Sequence, residues 1–230
     1  MTGDDPFYSS SLRDLKSKVS ACTQTAICGR PYILVTELKR WLRSPIKCPS
    51  GKNTNQVGRL LVATYGNQVV PSSTLKLWET DSCCLLVFCI LLLIDKGNLI
   101  EVFQTFNILD QHLPIPLQQL REKLKPSHEV QDYWKVAAAF DQEQWAFCPA
   151  KFELHRGREY TEHSILPICR KEEINEKGGT ARLWWIDVKE EFVGNALKQA
   201  VAFSRYNYSA SDTDPDWRYQ FALKSFEDSR

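Results

Sequence analysis

The sequence predicts an α+β fold in which a helical N-terminal domain is followed by an antiparallel sheet. Three observations lead to this prediction. Apolar residues recur at helical spacing through the first 125 residues. A continuous apolar run, 83–94, lies inside that region and is too short to cross a bilayer. Beyond residue 126, short runs of aromatic and β-branched residues alternate with turn-forming and charged residues, a pattern typical of strands.

The helical domain is predicted to comprise residues 1–125. Its first helix starts near Ser11 and places Leu12, Leu15 and Val19 on one face. The segment 78–94 is apolar all round, which predicts a central, fully buried helix. The other predicted helices of the domain are 31–44, 57–66, 99–109 and 113–125.

A connecting segment is predicted at 126–164 and a β-rich segment at 165–230. The β-like runs are 144–154, 164–169, 181–188 and 219–226. A helix is predicted at 190–206. Residues 172–188 are expected to form an antiparallel hairpin, and the strand that contains Lys224 is expected to pair beside it.

Composition excludes several classes of partner. A net charge of +1 gives no overall electrostatic reason to bind nucleic acid or an acidic membrane. The N-terminus has neither the basic nor the apolar region of a signal peptide, so we expect an intracellular protein with reduced cysteines, in the cytoplasm or nucleus. A protein partner could bind through the helical domain, although the sequence identifies no surface residue for it.

The stretch "EKGGTARLWWIDV", 176–188, is the most suggestive of chemistry. Gly178 and Gly179 separate a charged segment from a run of strand-forming residues. One interpretation is a hairpin turn that uses the positive φ angles open to glycine. The other is a phosphate-binding loop, because residues without a Cβ let backbone N–H groups approach phosphate oxygens closely.

A second motif, "FALK" at 221–224, gives the glycine pair a context. The two motifs together resemble the start of a protein-kinase N-lobe, where a glycine-rich hairpin covers ATP and a following strand carries a lysine. Residues 140–193 also resemble kinase-like proteins of filamentous fungi. The resemblance lies in the short sequences "QWAFCPAKFEL", "ILPI" and "KGGTA". The resemblance implies that 165–230 is a partial kinase N-lobe-like antiparallel sheet.

The resemblance also implies a ligand and the residues that would hold it. ATP is the implied cofactor, and no metal is expected. The residues that would cover the ATP phosphates are Gly178, Gly179, Thr180 and Ala181. Lys224 would pair with the same phosphates.

The sequence departs from the kinase pattern in three ways. The loop pattern G-x-G-x-x-G-x-V falls on Glu176, Gly178, Ala181 and Leu183, so only its middle glycine is kept. Leu183 and Lys224 are 41 residues apart, which implies an insertion at 189–218. The H-R-D and D-F-G motifs do not occur, and only six residues follow Lys224.

The departures lead to two hypotheses. In the first, the chain is a fragment or a degenerate member of a fungal protein-kinase-like family. Its ATP-binding loop and lysine would be vestigial, and it would not transfer phosphate by itself. In the second, it is a non-catalytic interaction protein that acts through its helical domain.

Two further clusters are interpreted without a catalytic role. Asp187, Glu190 and Glu191 are taken as a solvated charge cluster rather than catalytic carboxylates. The Trp184–Trp185 pair is taken as strand packing rather than a platform for nucleobases, because no basic–aromatic pattern accompanies it.

A zinc site is not predicted. Four residues of suitable type follow one another along the chain, but their spacing fits no compact finger. They are Cys148, His155, His163 and Cys169.

Overall fold

The fold was examined in a computed structural model of the 230-residue chain. It describes residues 6–47, 53–66, 68, 70, 77, 83–127, 130, 132–154, 159–174, 181–209 and 215–226. The α+β class is confirmed: helices dominate the first part of the chain, and a four-stranded antiparallel sheet lies in the second. The chain divides into two compact units. Unit 1 comprises 1–23 and 33–148, and unit 2 comprises 24–32 and 149–230.

Unit 1 is built from helices. They are α1 (Pro6–Cys22), α2 (Val35–Arg43), α3 (Gln56–Tyr65), α4 (Leu85–Leu93), α5 (Ile100–Thr105), α6 (Leu117–Leu124) and α7 (Tyr133–Phe147). Short strands precede α4. The pair β1 (Thr23–Thr25) and β2 (Pro31–Ile33) lies mostly in residues 24–32 of unit 2, whereas β3 (Pro45–Lys47) pairs with β4 (Asn53–Asn55) in unit 1. The segment predicted as one helix, 31–44, therefore starts as a strand and becomes helical only at Val35.

The core of unit 1 surrounds α4, as its sequence predicts. Every residue from Leu85 to Leu92 is buried, so the helix has no solvent-facing side over that length. The largest fully buried side chains of the other helices pack in the same unit: Leu15, Leu38, Leu42, Leu61, Phe103 and Phe140. Among the described residues no helix is long and apolar enough to cross a membrane.

Helix α7 corrects two expectations. The sequence predicts a connecting segment here that becomes β-like from Gln144, whereas the structure has a helix that belongs to unit 1. The buried side chains of α7 recur every three or four residues, which is helical spacing: Val136, Ala137, Phe140, Gln144 and Phe147. Gln144 is fully buried, and its amide donates to the Ile115 carbonyl and accepts from the Ile115 N–H, both at 2.8 Å.

Unit 2 is built around a sheet of order β5-β6-β8-β7. Its strands are β5 (Ile168–Glu173), β6 (Ala181–Lys189), β7 (Arg205–Asn207) and β8 (Trp217–Phe226), all antiparallel. The expected hairpin is confirmed, since β5 pairs with β6, and the Lys224 strand pairs beside it along β6. One face carries the buried side chains of Ile186, Val188 and Tyr219.

The segment between β6 and β8 is only partly helical. The predicted helix 190–206 is α8 (Asn195–Ala200) between two 3-10 turns, Glu190–Phe192 and Ala202–Ser204, followed by β7. Gly194 is the N-cap of α8 and has an extended backbone, with φ −68° and ψ 152°, so the helix does not continue back to Glu190. An added Cβ at Gly194 would lie only 3.3 Å from the Phe152 carbonyl oxygen and 3.0 Å from Cγ of Glu153, so the position favours glycine.

Candidate functional site

The glycine motif connects β5 to β6. Residues 175–180 lie outside the described residues, and with them the predicted phosphate-covering residues Gly178, Gly179 and Thr180. Ala181, the fourth, is the first residue of β6 and its backbone is paired with Phe226. The structure therefore describes the two strands that the motif joins but not the motif itself.

Lys224 lies on β8 directly opposite Leu183 of β6. Residues that face each other in an antiparallel pair project from the same side of the sheet. Ala222, two residues before Lys224, and its partner Trp185 share that side. Trp185 is 42% exposed and Lys224 is exposed as well. An apolar surface next to a cation is thus present beside the glycine motif; we call this side of the sheet the lysine face.

Farther along the lysine face, the structure corrects the expectation for Asp187. The sequence predicts that this carboxylate belongs to a solvated cluster, but it is only 1% exposed. Its Oδ2 accepts a hydrogen bond from the Tyr206 hydroxyl at 2.7 Å and lies 3.8 Å from Nη1 of Arg170. Burial, and then the hydrogen bond to Asp187, raise the pKa of the Tyr206 hydroxyl above its usual range.

Glu190 differs from Asp187 because it stays partly exposed. One of its carboxylate oxygens lies 3.1 Å from Nη2 of Arg205 and the other 3.9 Å from Nζ of Lys198. Ion pairs at this level of exposure contribute little to stability. Both partners lie in the inserted segment, so Glu190 joins residues of that segment to one another rather than offering a free carboxylate.

A second ionic group lies at the end of β6 and the start of β8. Asp216 accepts hydrogen bonds from Lys189 at 2.7 Å and from Arg218 at 2.5 Å. Burial by itself would raise the pKa of Asp216, but the hydrogen bonds and the two positive charges outweigh it, so the pKa is lowered. Arg218 also lies over the Tyr208 ring, 3.6 Å from its centroid. These contacts tie both ends of the insertion to the sheet.

Trp184 lies on the opposite face from Trp185. Its indole N–H donates to the Ser225 hydroxyl at 3.1 Å, and Nζ of Lys171 lies 4.0 Å from its ring centroid. These contacts explain Trp184 as a packing residue of the sheet. Trp185, exposed on the lysine face, is not held in this way.

The four candidate zinc ligands do not form a described cluster. Among the residues that the structure covers, no group of three or more His, Cys, Asp or Glu side chains is arranged to hold a metal ion. His155 lies outside the described residues. Cys148 belongs to unit 1, where burial raises the pKa of its thiol to about 12. Cys169 belongs to unit 2 and donates to the Asp187 carbonyl at 3.2 Å.

Sequence reasoning missed Tyr206 and Asp216 as partners of the sheet. Both lie in the segment that was assigned only as an insertion. One signal could have pointed to the buried carboxylate: Asp187 stands directly between the apolar residues Ile186 and Val188 of β6, and a buried charge requires a partner. The identity of that partner, 19 residues away, depends on the fold.

Comparisons with protein-family models, with curated proteins and with solved structures found no match to this chain.

Proposed function

We propose that unit 2 is a protein-kinase-like nucleotide flap. In this proposal the loop before β6 covers the ATP phosphates, Lys224 pairs with them, and the chain by itself transfers no phosphate. The observation that carries the proposal is the register of β6 and β8, which sets Lys224 opposite Leu183, three residues beyond Thr180 at the end of the glycine motif.

The lysine face has the chemistry that such a ligand needs. A primary ammonium group balances phosphate charge, and the side chains of Leu183, Trp185 and Ala222 offer an apolar surface to an aromatic base. An open sheet face buries much less of a ligand than an enclosed cleft does, so we expect weak binding, with Kd of about 1 mM.

The absence of phosphate transfer follows from the residues that transfer requires. A kinase needs a catalytic aspartate and a metal-binding aspartate, and neither the H-R-D nor the D-F-G motif occurs in this sequence. Asp187 does not substitute for them, because its carboxylate is buried and held by Tyr206.

Calorimetric titration of the full chain with ATP and magnesium tests the proposal. We expect a saturable signal that becomes roughly tenfold weaker or undetectable in Lys224→Ala, because the cation that faces the phosphates is removed. Arg182→Ala is the matched control. Arg182 is also exposed and lies one residue from Leu183, but it faces Ser225 on the other side of the sheet.

Nucleotide binding and the lack of phosphate transfer are tested by separate experiments. No heat of binding, or an equal loss in Lys224→Ala and Arg182→Ala, would reject the nucleotide site. Incubation with γ-labelled ATP tests the remaining part, and we expect no labelled protein or substrate. Lys224-dependent transfer of label would overturn the statement that the chain is inactive by itself.

A further inference from the structure

A basic groove lies on the surface of unit 1. It has a volume of about 600 Å³ and is lined by Thr36, Lys39, Arg40, Arg43, Ser44 and Pro45. All six residues belong to α2 or to the two positions that follow it. The volume lies within the range of roughly 300–1,000 Å³ that small-ligand and peptide side-chain sites occupy.

The groove concentrates positive charge. Arg40 and Arg43 are three residues apart and Lys39 and Arg43 four apart, so the three cations are neighbours on the helix surface. Lys39 is neutralised by Asp110, whose carboxylate lies 3.0 Å from its ammonium group. Within the described part of the chain, neither arginine has an acidic partner, and both are exposed. The groove therefore holds two uncompensated guanidinium groups in a chain whose net charge is only +1.

Helix stability accounts for only part of this arrangement. A cation near a helix C-terminus stabilises it by roughly 0.3–1 kcal/mol through the helix dipole. Because Asp110 neutralises Lys39, one like-charge pair remains, Arg40 with Arg43, and it costs roughly 0.2–0.5 kcal/mol. The net gain from the two arginines is therefore small, and their guanidinium groups can still bind an anion.

The geometry suits a compact dianion. Each guanidinium presents a planar fork of N–H donors that matches two oxygens of a phosphate group. Two such forks about one helical turn apart, with Lys39 at their side, suit a phosphate monoester better than a single carboxylate. Ser44 is not an additional donor, because its hydroxyl already donates to the Trp41 carbonyl at 2.7 Å.

Two other sources of phosphate fit the groove less well. The nine residues of α2 extend only about 14 Å, whereas nucleic-acid binding commonly neutralises a series of phosphates along a backbone. A membrane surface calls for apolar side chains that enter the lipid, but Leu38 and Leu42 of α2 are fully buried in the core.

We propose that this groove binds a phosphorylated segment of a partner protein, with Arg40 and Arg43 gripping the phosphate. The groove supplies the helical domain with the interaction surface that the sequence does not identify. It lies in unit 1 and is independent of nucleotide binding in unit 2.

The test uses the purified full chain and a resin that carries a peptide library with a fixed central phosphoserine and randomised flanks. An identical resin with unmodified serine is the reference. We expect retention on the phosphoserine resin only, and a loss of retention of roughly tenfold or more in Arg40→Ala/Arg43→Ala. Lys39 is left unchanged because it pairs with Asp110, which supports the fold.

The matched control is Arg121→Ala/Lys125→Ala. These two exposed cations also lie at a helix C-terminus in unit 1, but they line a different groove. The control variant should be retained like the parent chain, and unchanged thermal unfolding of Arg40→Ala/Arg43→Ala would exclude misfolding.

Several results would overturn the proposal. Equal retention on both resins would remove the phosphate requirement, and equal loss in both double variants would indicate a general charge effect. If inorganic phosphate releases the chain from the resin at the same concentration as the free library peptides do, the groove binds the free ion and not a phosphorylated segment. If a single-stranded oligonucleotide releases the chain from the resin at a lower concentration than the peptides do, the groove is a nucleic-acid site.

Discussion

At the scale of single residues, Asp187 of unit 2 is a buried carboxylate with few hydrogen-bond donors. It is 1% exposed, and no described residue donates a hydrogen bond to its Oδ1. Its Oδ2 receives one from Tyr206, while Arg170 lies 3.8 Å away and is bound at shorter distance to Glu172. A buried carboxylate with so few donors is costly, so the Tyr206 hydroxyl should contribute more than an ordinary surface hydrogen bond.

Substituting Tyr206→Phe tests this contribution. The ring is kept and one hydroxyl is removed, so the change isolates the hydrogen bond to Asp187. We expect the free energy of unfolding to fall by roughly 1.5–3 kcal/mol, the range for a hydrogen bond to a charged group. Urea denaturation followed by tryptophan fluorescence measures it. Tyr208→Phe is the control, because Tyr208 is 55% exposed and its ring contact with Arg218 survives. Equal effects of the two substitutions would contradict the assignment.

At the scale of elements, α4 shows what a local pattern can and cannot predict. Its continuous apolar sequence correctly predicts a central buried helix. The side chain of the N-cap residue, Cys84, does not accept a hydrogen bond from the first turn of the helix. Asp110 does so instead, since its Oδ1 accepts from the N–H groups of Leu86 at 2.9 Å and Val87 at 3.1 Å. A cap that comes from 24 residues away leaves no signal in the sequence around the helix.

Substitution of Asp110 should therefore be costly. Asp110→Ala removes both the cap and the ion pair with Lys39, and we expect a loss of roughly 2–4 kcal/mol in the free energy of unfolding. Asp110→Asn keeps an oxygen for the two N–H groups and should cost about half as much. Urea denaturation followed by far-ultraviolet circular dichroism measures both.

Asp132→Asn is the control for charge removal. Asp132 lies 3.0 Å from Lys135, but both side chains are more than half exposed, so the loss should stay below about 1 kcal/mol. If Asp110→Asn and Asp132→Asn cost the same, Asp110 would be an ordinary surface ion-pair residue and not the cap of α4.

The same contrast between local and distant information runs through the sheet. The strands of Leu183 and Lys224 could be predicted because each carries its own β-forming run next to a turn or a charge. The helix α7 also carries a local signal, because Val136, Ala137 and Phe140 recur at helical spacing among good helix formers, but the aromatic residues after Gln144 favoured a strand. The partners Tyr206 and Asp216 could not be predicted, because the local sequence assigned Tyr206 to the predicted helix 190–206, whereas it lies in β7, and Asp216 lies in the insertion outside any predicted element.

At the scale of the whole molecule, unit 2 is discontinuous in sequence. The chain leaves unit 1 after Thr23, contributes residues 24–32 to unit 2, and returns at Ile33. Arg30 anchors this excursion by donating to the carbonyls of Glu162 and Ser164. The Ile27 N–H also donates to the Ile168 carbonyl at 3.0 Å, at the first residue of β5. Residues 24–32 are thus held in unit 2 through both Arg30 and Ile27.

The discontinuity predicts that residues 149–230 will not fold cooperatively alone. They would lack Tyr32, which is fully buried and packs edge-on against Phe192 with ring centroids 5.3 Å apart. Loss of a buried aromatic of this size costs roughly 3–5 kcal/mol, a large share of the stability of a unit of 91 residues, nine in the segment 24–32 and 82 in the segment 149–230. We expect the fragment to show no cooperative thermal transition by near-ultraviolet circular dichroism. The same fragment with 24–32 joined through a flexible linker should regain one. A sharp transition in the fragment without 24–32 would show that the excursion is dispensable, and the boundary of unit 2 would then lie at Pro149 alone.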